Sequence, residues 1–136
     1  MQINFILKHL NLLLVDDNQH IHAEIYTLFS SICKSITLAH NAESAMKHYA
    51  EKNIDLIITD IEMPDIDGLT FVENIRSFDT SVPIIILSAH ADNEYLLRAA
   101  NLQIDGYIIK PLNFTRYHFF SCFFYDPCPY NVSNFN

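Results

Sequence analysis

Basic residues are scarce in this chain: 8 Lys+Arg stand against 16 Asp+Glu, a formal net charge of −8. Nonspecific nucleic-acid binding draws on a basic footprint, and no stripe of Lys and Arg runs along the sequence. The composition therefore argues against direct nucleic-acid binding. Cysteine is also sparse. Cys33, Cys122 and Cys128 are odd in number and lack metal-ligand spacing, which excludes an even disulfide framework and makes a reducing, cytoplasmic setting the expectation. No stretch reaches the ~18 unbroken apolar residues of a membrane span, so no membrane insertion is expected. The apolar start, Met1 to Lys8, has neither a basic leader nor a small-residue cleavage site. No internal repeat is visible.

What remains is a chain of 136 residues, half of them hydrophobic. It is long enough for one domain with its own core. Five short apolar runs are read as strands: Leu10 to Val15, Ser35 to Ala39, Asp55 to Asp60, Ile84 to Ser88 and Gly106 to Lys110. Helical patterns fill the gaps. Asn18 is placed to cap a helix through about Cys33, with Ile21, Ile25, Leu28, Phe29 and Ile32 on one face. Asn41 caps the next helix, with Ala42, Ala45, Met46, Tyr49 and Ala50 as its stripe. Asp67 caps a third, through Phe78, and Asp92 to Leu102 forms a fourth. Apolar strands alternating with helices imply βα units and a parallel sheet. Right-handed crossovers then put helices on both faces. The expected fold class is α/β, a flavodoxin-like doubly wound (βα)5 sandwich with sheet order 2-1-3-4-5.

That order makes strands one, three, four and five consecutive neighbours, so the residues at their carboxyl ends share one rim. Those residues are Asp16 and Asp17 after strand one, Asp60 ending strand three, Ser88 ending strand four and Lys110 ending strand five. A lone Asp-Asp at a strand end is more often a capping turn than a metal site. Three converging carboxylates, however, cannot all ionise without a cation. A hard, oxygen-liganded ion such as Mg²⁺ fits, because it takes few carboxylates and leaves room for phosphate oxygens. Lys110 offers a compact positive charge for a phosphoryl oxygen, and the Ser88 hydroxyl can donate to another. Asp60 is then a carboxylate nucleophile of the kind that forms aspartyl phosphates.

Four segments carry a family resemblance: Leu13 to Asn18, Asp60 to Leu69, Ile86 to Ala89 and Gly106 to Pro111. In order, and each at a strand end, they make the chain resemble a response-regulator receiver domain of two-component signalling. The resemblance implies that Asp60 is the phosphoacceptor, that Asp17 binds Mg²⁺ directly and Asp16 through water, and that the Glu62 backbone carbonyl is a further ligand. It implies that Lys110 and Ser88 hold the phosphoryl group, and that Tyr107 turns inward as Ser88 engages it. Glu62 and His90 would tune hydrolysis, and the Lys110–Pro111 peptide would be cis. The implied partners are a histidine kinase or phosphotransfer protein and a downstream protein on the face made by the fourth helix, the fifth strand and the fifth helix. Such a domain is a signalling switch with self-catalysed transfer and dephosphorylation, not a turnover enzyme.

Two other readings are open. A Mg²⁺-dependent phosphohydrolase of haloacid-dehalogenase type also uses a strand-end Asp, but its pattern has a second Asp where this chain has Glu62, and it carries a cap domain. A non-phosphorylated interaction domain of receiver fold would be expected to have lost the acids or the lysine. The receiver core is read as residues 1–112. Residues 113–136 depart from the family, with an aromatic-rich fifth helix and tail that is either native or a truncated or foreign segment. A nearly uncharged aromatic helix there would recruit a second chain as a dimer or swap. With no output module in the sequence, a stand-alone receiver or a piece of a larger regulator is expected. Gln103 stands where the family has a helix-ending glycine. Asp65 and Asp67 are read as turn and cap residues, Gly68 as helix-start geometry, and His20 and His22 as solvent-facing.

Overall fold

The computed structural model describes residues 8–31, 33–89 and 93–110. Within them the order is β1 (Asn11–Val15), α1 (Gln19–Phe29), β2 (Ser35–Ala39), α2 (Ala42–Glu51), β3 (Leu56–Asp60), α3 (Gly68–Arg76), β4 (Ile84–Ser88), α4 (Asn93–Asn101) and β5 (Gly106–Ile109). The strands form one parallel sheet in the order β2-β1-β3-β4-β5, the order expected from the sequence. The anticipated fifth helix and tail, with any dimerisation through them, lie outside the described residues, as do His90 and the Lys110–Pro111 peptide.

Strand side chains point alternately to opposite faces, and both faces here are apolar. Leu12, Leu14, Leu56, Ile58, Ile85, Leu87 and Ile108 share a cluster with Ile21, Ile25 and Phe29 of α1. Leu13, Val15, Ile57 and Ile84 pack with Ala42 and Ala45 of α2 and with Phe71, Val72 and Ile75 of α3. A third cluster joins Ile86 and Tyr107 to Ile61, Leu69 of α3 and Leu96 and Ala99 of α4. Burial on both faces explains why the central strands read as continuous apolar runs rather than alternating ones.

The three expected caps are present. The side chains of Asn18, Asn41 and Asp67 accept from the backbone N–H of His20, Ser44 and Thr70. Helix ends fall earlier than the periodicity suggested. The first helix stops at Phe29, not Cys33, because Ser30 and Cys33 close the terminus onto Tyr26 O and Phe29 O. Cys33 lies half-buried beyond it, and burial pushes its thiol up to about 11. The third helix stops at Arg76, not Phe78, and Phe78 is exposed against the Tyr49 ring. The fourth runs Asn93–Asn101, inside its expected bounds. Strand ends differ by one residue: Leu10 precedes β1, Asp55 precedes β3 and Lys110 follows β5. His22 is buried, against the expectation that it faces solvent, whereas His20 is exposed.

Arg76 organises the far end of the sheet. Its Nε donates to Leu102 O at 3.1 Å, its Nη1 to Asp79 O and Val82 O at 3.2 and 2.8 Å, and its Nη2 to Gln103 O at 2.9 Å. One guanidinium thus satisfies carbonyls from the loops that enter β4 and β5. An ammonium cannot span that set. Arg76→Lys is expected to lower stability by about 2–3 kcal/mol, because several half-buried carbonyls lose their donor; urea denaturation measures it.

Two non-glycine residues hold positive φ, Asp65 at 71° and Gln103 at 57°. Asp65 is the centre of a three-residue turn in which Ile66 N donates to Pro64 O at 2.9 Å, as its turn reading requires. Gln103 sits in the left-handed region just past α4, where a side chain is disfavoured. Gln103→Gly is expected to raise stability by about 0.5–1 kcal/mol, the relief of that strain less the added entropy of the unfolded chain. The same denaturation assay reads it. No helix among the described residues is long and apolar enough to cross a membrane.

Candidate functional site

Parallel pairing aligns the carboxyl ends of β1, β3 and β4, with Val15 beside Thr59 and Asp60 beside Leu87. The next residue of β1 is Asp16, whose N–H donates to Ala39 O at 3.0 Å and so holds it at the end of β2. Asp16 is fully buried, and Asp60 is buried at the end of β3. Asp17 is exposed beside them. One carboxylate oxygen from each of Asp16, Asp17 and Asp60 lies within 4.8 Å of the others.

Lys110 follows β5, and its N–H donates to Ser88 O at 2.8 Å, which fixes it against the end of β4. From there its Nζ donates to Asp16 Oδ2 at 2.9 Å and stands 3.4 Å from Asp60 Oδ2. The second oxygens of these acids are held by the backbone. Asp16 Oδ1 accepts from Asn18 N and Asp60 Oδ1 from Ile61 N, both at 2.8 Å. The structure therefore gathers Asp16, Asp17, Asp60 and Lys110 at one rim, with Ser88 buried at the adjoining strand end. The stronger Lys110 contact is to Asp16, a pairing the sequence did not single out.

The electrostatics follow from burial. Asp60 is raised above the ordinary carboxylate range, first by desolvation and then by the Asp16 charge, while Lys110 and the Ile61 N–H act the other way. Burial would lower Lys110, but its hydrogen bond to Asp16 and the charges of Asp16 and Asp60 outweigh that and raise it. Three carboxylates facing one ammonium leave an excess of negative charge at a rim where Asp16 and Asp60 are buried. That donor set, all oxygen and partly neutralised, suits a hard divalent cation.

The loop after β3 is tightly built. Gly68 N donates to Ile61 O at 2.7 Å, and a Cβ placed on Gly68 would lie 1.8 Å from Asp60 O and 2.9 Å from Ile61 Cα. Its φ is not positive. Gly68 is the first residue of α3, as its helix-start reading has it, and glycine is needed there for close approach rather than for a left-handed turn. Glu62 is exposed on this loop. Tyr107 is fully buried on β5, in the cluster it shares with Leu96 and Ala99 of α4.

Comparison with known proteins places the geometry in context. A family model for the response regulator receiver domain matches residues 12–118. A probable transcriptional regulator, ycf27 of Cyanidium caldarium, is 36% identical over 103 residues, which are 76% of this chain and 41% of that protein. The regulatory protein AtoC of Escherichia coli strain K12 is 29% identical over 102 residues, 75% of this chain and 22% of that protein. The chain thus spans well under half the length of these relatives. Among solved structures, the CheX-CheY-BeF3-Mg+2 complex from Borrelia burgdorferi matches with a TM-score of 0.69 and 31% identity, covering 76% of this chain and 80% of that one. The response regulator protein TrrA of Thermotoga maritima, in complex with Mg(2+)-BeF, matches with a TM-score of 0.68 and 34% identity, covering 77% and 90%.

Proposed function

The chain belongs to the response regulator receiver domain family, and from that premise we propose that it is a phosphorylation switch whose acceptor is Asp60. Receiver domains of two-component systems work with histidine kinases and downstream effectors. The observation that carries the proposal is the Lys110 ammonium lying 2.9 Å from Asp16 and 3.4 Å from Asp60, with Asp17 alongside.

In this reading Asp16, Asp17, Asp60 and the Glu62 carbonyl hold Mg²⁺, which supplies charge neutralisation for the transferring phosphoryl group. An Asp60 carboxylate oxygen forms the new O–P bond. The P–N bond of a phosphohistidine donor breaks, and the released imidazole takes up a proton. Lys110 shifts its ammonium from the carboxylates toward a phosphoryl oxygen, and the Ser88 hydroxyl donates to another. Because Lys110 and Ser88 end adjacent strands, both are positioned before the donor arrives, which is where most of the catalytic effect of a carboxylate nucleophile resides. Glu62 and His90 flank the group and tune its hydrolysis.

The output follows as a population shift. Ser88 drawn toward the phosphoryl group favours the inward Tyr107 conformer, and the buried contact of Tyr107 with Leu96 and Ala99 couples that choice to α4. The surface bearing α4 and β5 then presents itself to the downstream protein.

The test is to incubate the full chain with Mg²⁺ and acetyl phosphate. One alkali-labile acyl phosphate per chain is expected, on the peptide containing Asp60, and none when EDTA replaces the metal. Failure to take up label, or uptake indifferent to EDTA, would overturn the proposal.

A further inference from the structure

A second cluster of ligating side chains stands outside the acidic pocket. His22 lies in the first turn of α1 and is 6% exposed. Its Nε2 is buried and has no hydrogen-bond partner. A buried imidazole nitrogen without a partner is destabilising, so its presence calls for an explanation. Its neighbour is His40, the exposed residue that follows β2. Their ring centres are 4.8 Å apart and their planes are inclined by 34°. Stacking of two neutral imidazoles would account for the proximity but leaves the His22 nitrogen unsatisfied.

The spacing has another reading. Imidazole nitrogens bind Zn²⁺ at about 2.0–2.1 Å, and two imidazoles on one ion at a near-tetrahedral or right angle hold their ring centres about 5 Å apart. The observed separation matches that geometry. We propose that His22 and His40 form a second metal site, taking a borderline divalent ion such as Zn²⁺, Ni²⁺ or Cu²⁺, with water completing its coordination. Imidazole ligands select such ions, whereas the all-oxygen cluster of Asp16, Asp17 and Asp60 selects a hard one. The two sites therefore differ in the metal they prefer as well as in place. Binding would satisfy the orphaned Nε2 and tie α1 to the turn between β2 and α2. That turn adjoins Ala39, whose carbonyl holds the Asp16 N–H.

The experiment titrates the full chain with Zn²⁺ in saturating Mg²⁺, following calorimetry and the thermal midpoint, and records histidine side-chain resonances during a parallel Ni²⁺ titration. Wild type is expected to bind one Zn²⁺ and to gain thermal stability with it, as any ligand of the folded state confers. His40→Ala, at an exposed position, is expected to weaken Zn²⁺ at least tenfold and to leave Mg²⁺ affinity unchanged. His22→Gln keeps much of the ring's volume and is expected to do the same. Ni²⁺ is expected to broaden the His22 and His40 resonances first. Wild-type Zn²⁺ affinity in both variants, or Zn²⁺ binding that is abolished by Asp17→Asn and kept by the histidine variants, would overturn the proposal.

Discussion

Asp60→Asn is expected to bring phosphoryl uptake from acetyl phosphate down to background, and at the same time to raise the melting temperature of the chelated protein at pH 7. The two halves have one cause. Asparagine keeps the shape of the side chain but removes the oxyanion that would attack phosphorus, and no other carboxylate ends β3. The same oxyanion works against folding when no cation is bound, because Asp60 is buried beside Asp16 and raised above its ordinary range. A carboxyl group raised in the folded state contributes stability below its unfolded value, near 3.9, and that contribution is lost as pH rises through the folded value. At pH 7 the ionised group therefore costs stability, and neutral asparagine removes the cost. Label persisting at the wild-type level would sink the acceptor assignment. A lower melting temperature in EDTA would show instead that attraction to Lys110 outweighs desolvation and the Asp16 repulsion.

Gly68→Ala is the second large effect. The added methyl group would sit 1.8 Å from Asp60 O, a main-chain atom at the end of a central strand. A flexible side chain could step aside, but this carbonyl cannot without moving Asp60. The neighbouring hydrogen bond from Gly68 N to Ile61 O, at 2.7 Å, closes off retreat in the other direction. Overpacking of this kind costs about 3 kcal/mol, which for a chain of this size lowers the melting temperature by roughly 10 °C. Phosphoryl uptake is expected to fall with it, since the displaced atoms belong to the residue proposed as acceptor. A variant that melts within a degree or two of wild type would show that the start of α3 can slide away from β3.

The pattern of hits and misses in the sequence has physical causes. Strands buried on both faces advertise themselves as apolar runs, and the residues that stop them are charged or hydroxyl-bearing, so Asp16, Asp17, Asp60, Ser88 and Lys110 could be placed together from strand order alone. Caps were equally legible, because Asn18, Asn41 and Asp67 act on N–H groups two or three residues away. Gln103 stood out as the residue in place of a glycine, and its positive φ bears that out. Long-range contacts were not legible. Arg76 serves main-chain carbonyls, which leave no trace in side-chain pattern. His22 sits at the edge of the apolar stripe of α1, three and seven residues before Ile25 and Phe29, and its polar side chain masked that placement. Gly68 could be read as a helix start but not as a close-approach site, because the carbonyl it presses on belongs to a strand residue eight positions earlier. Helix ends ran past their true limits because the apolar period continues through Cys33 and Phe78 after the hydrogen-bonded turns have stopped.

Lys110 and Asp16 are separated by 94 residues, and that distance orders the assembly of the pocket in time. A chain made from its N-terminus presents Asp16, Asp17 and Asp60 well before Lys110 exists, since synthesis proceeds at about 5–20 residues per second. Pairing β1 with β3 brings Asp16 and Asp60 together, and their countercharge is supplied from the end of β5, which pairs with β4. An incomplete chain consequently lacks both the lysine and the settled acids. Completion of the sheet and completion of the charged pocket therefore coincide.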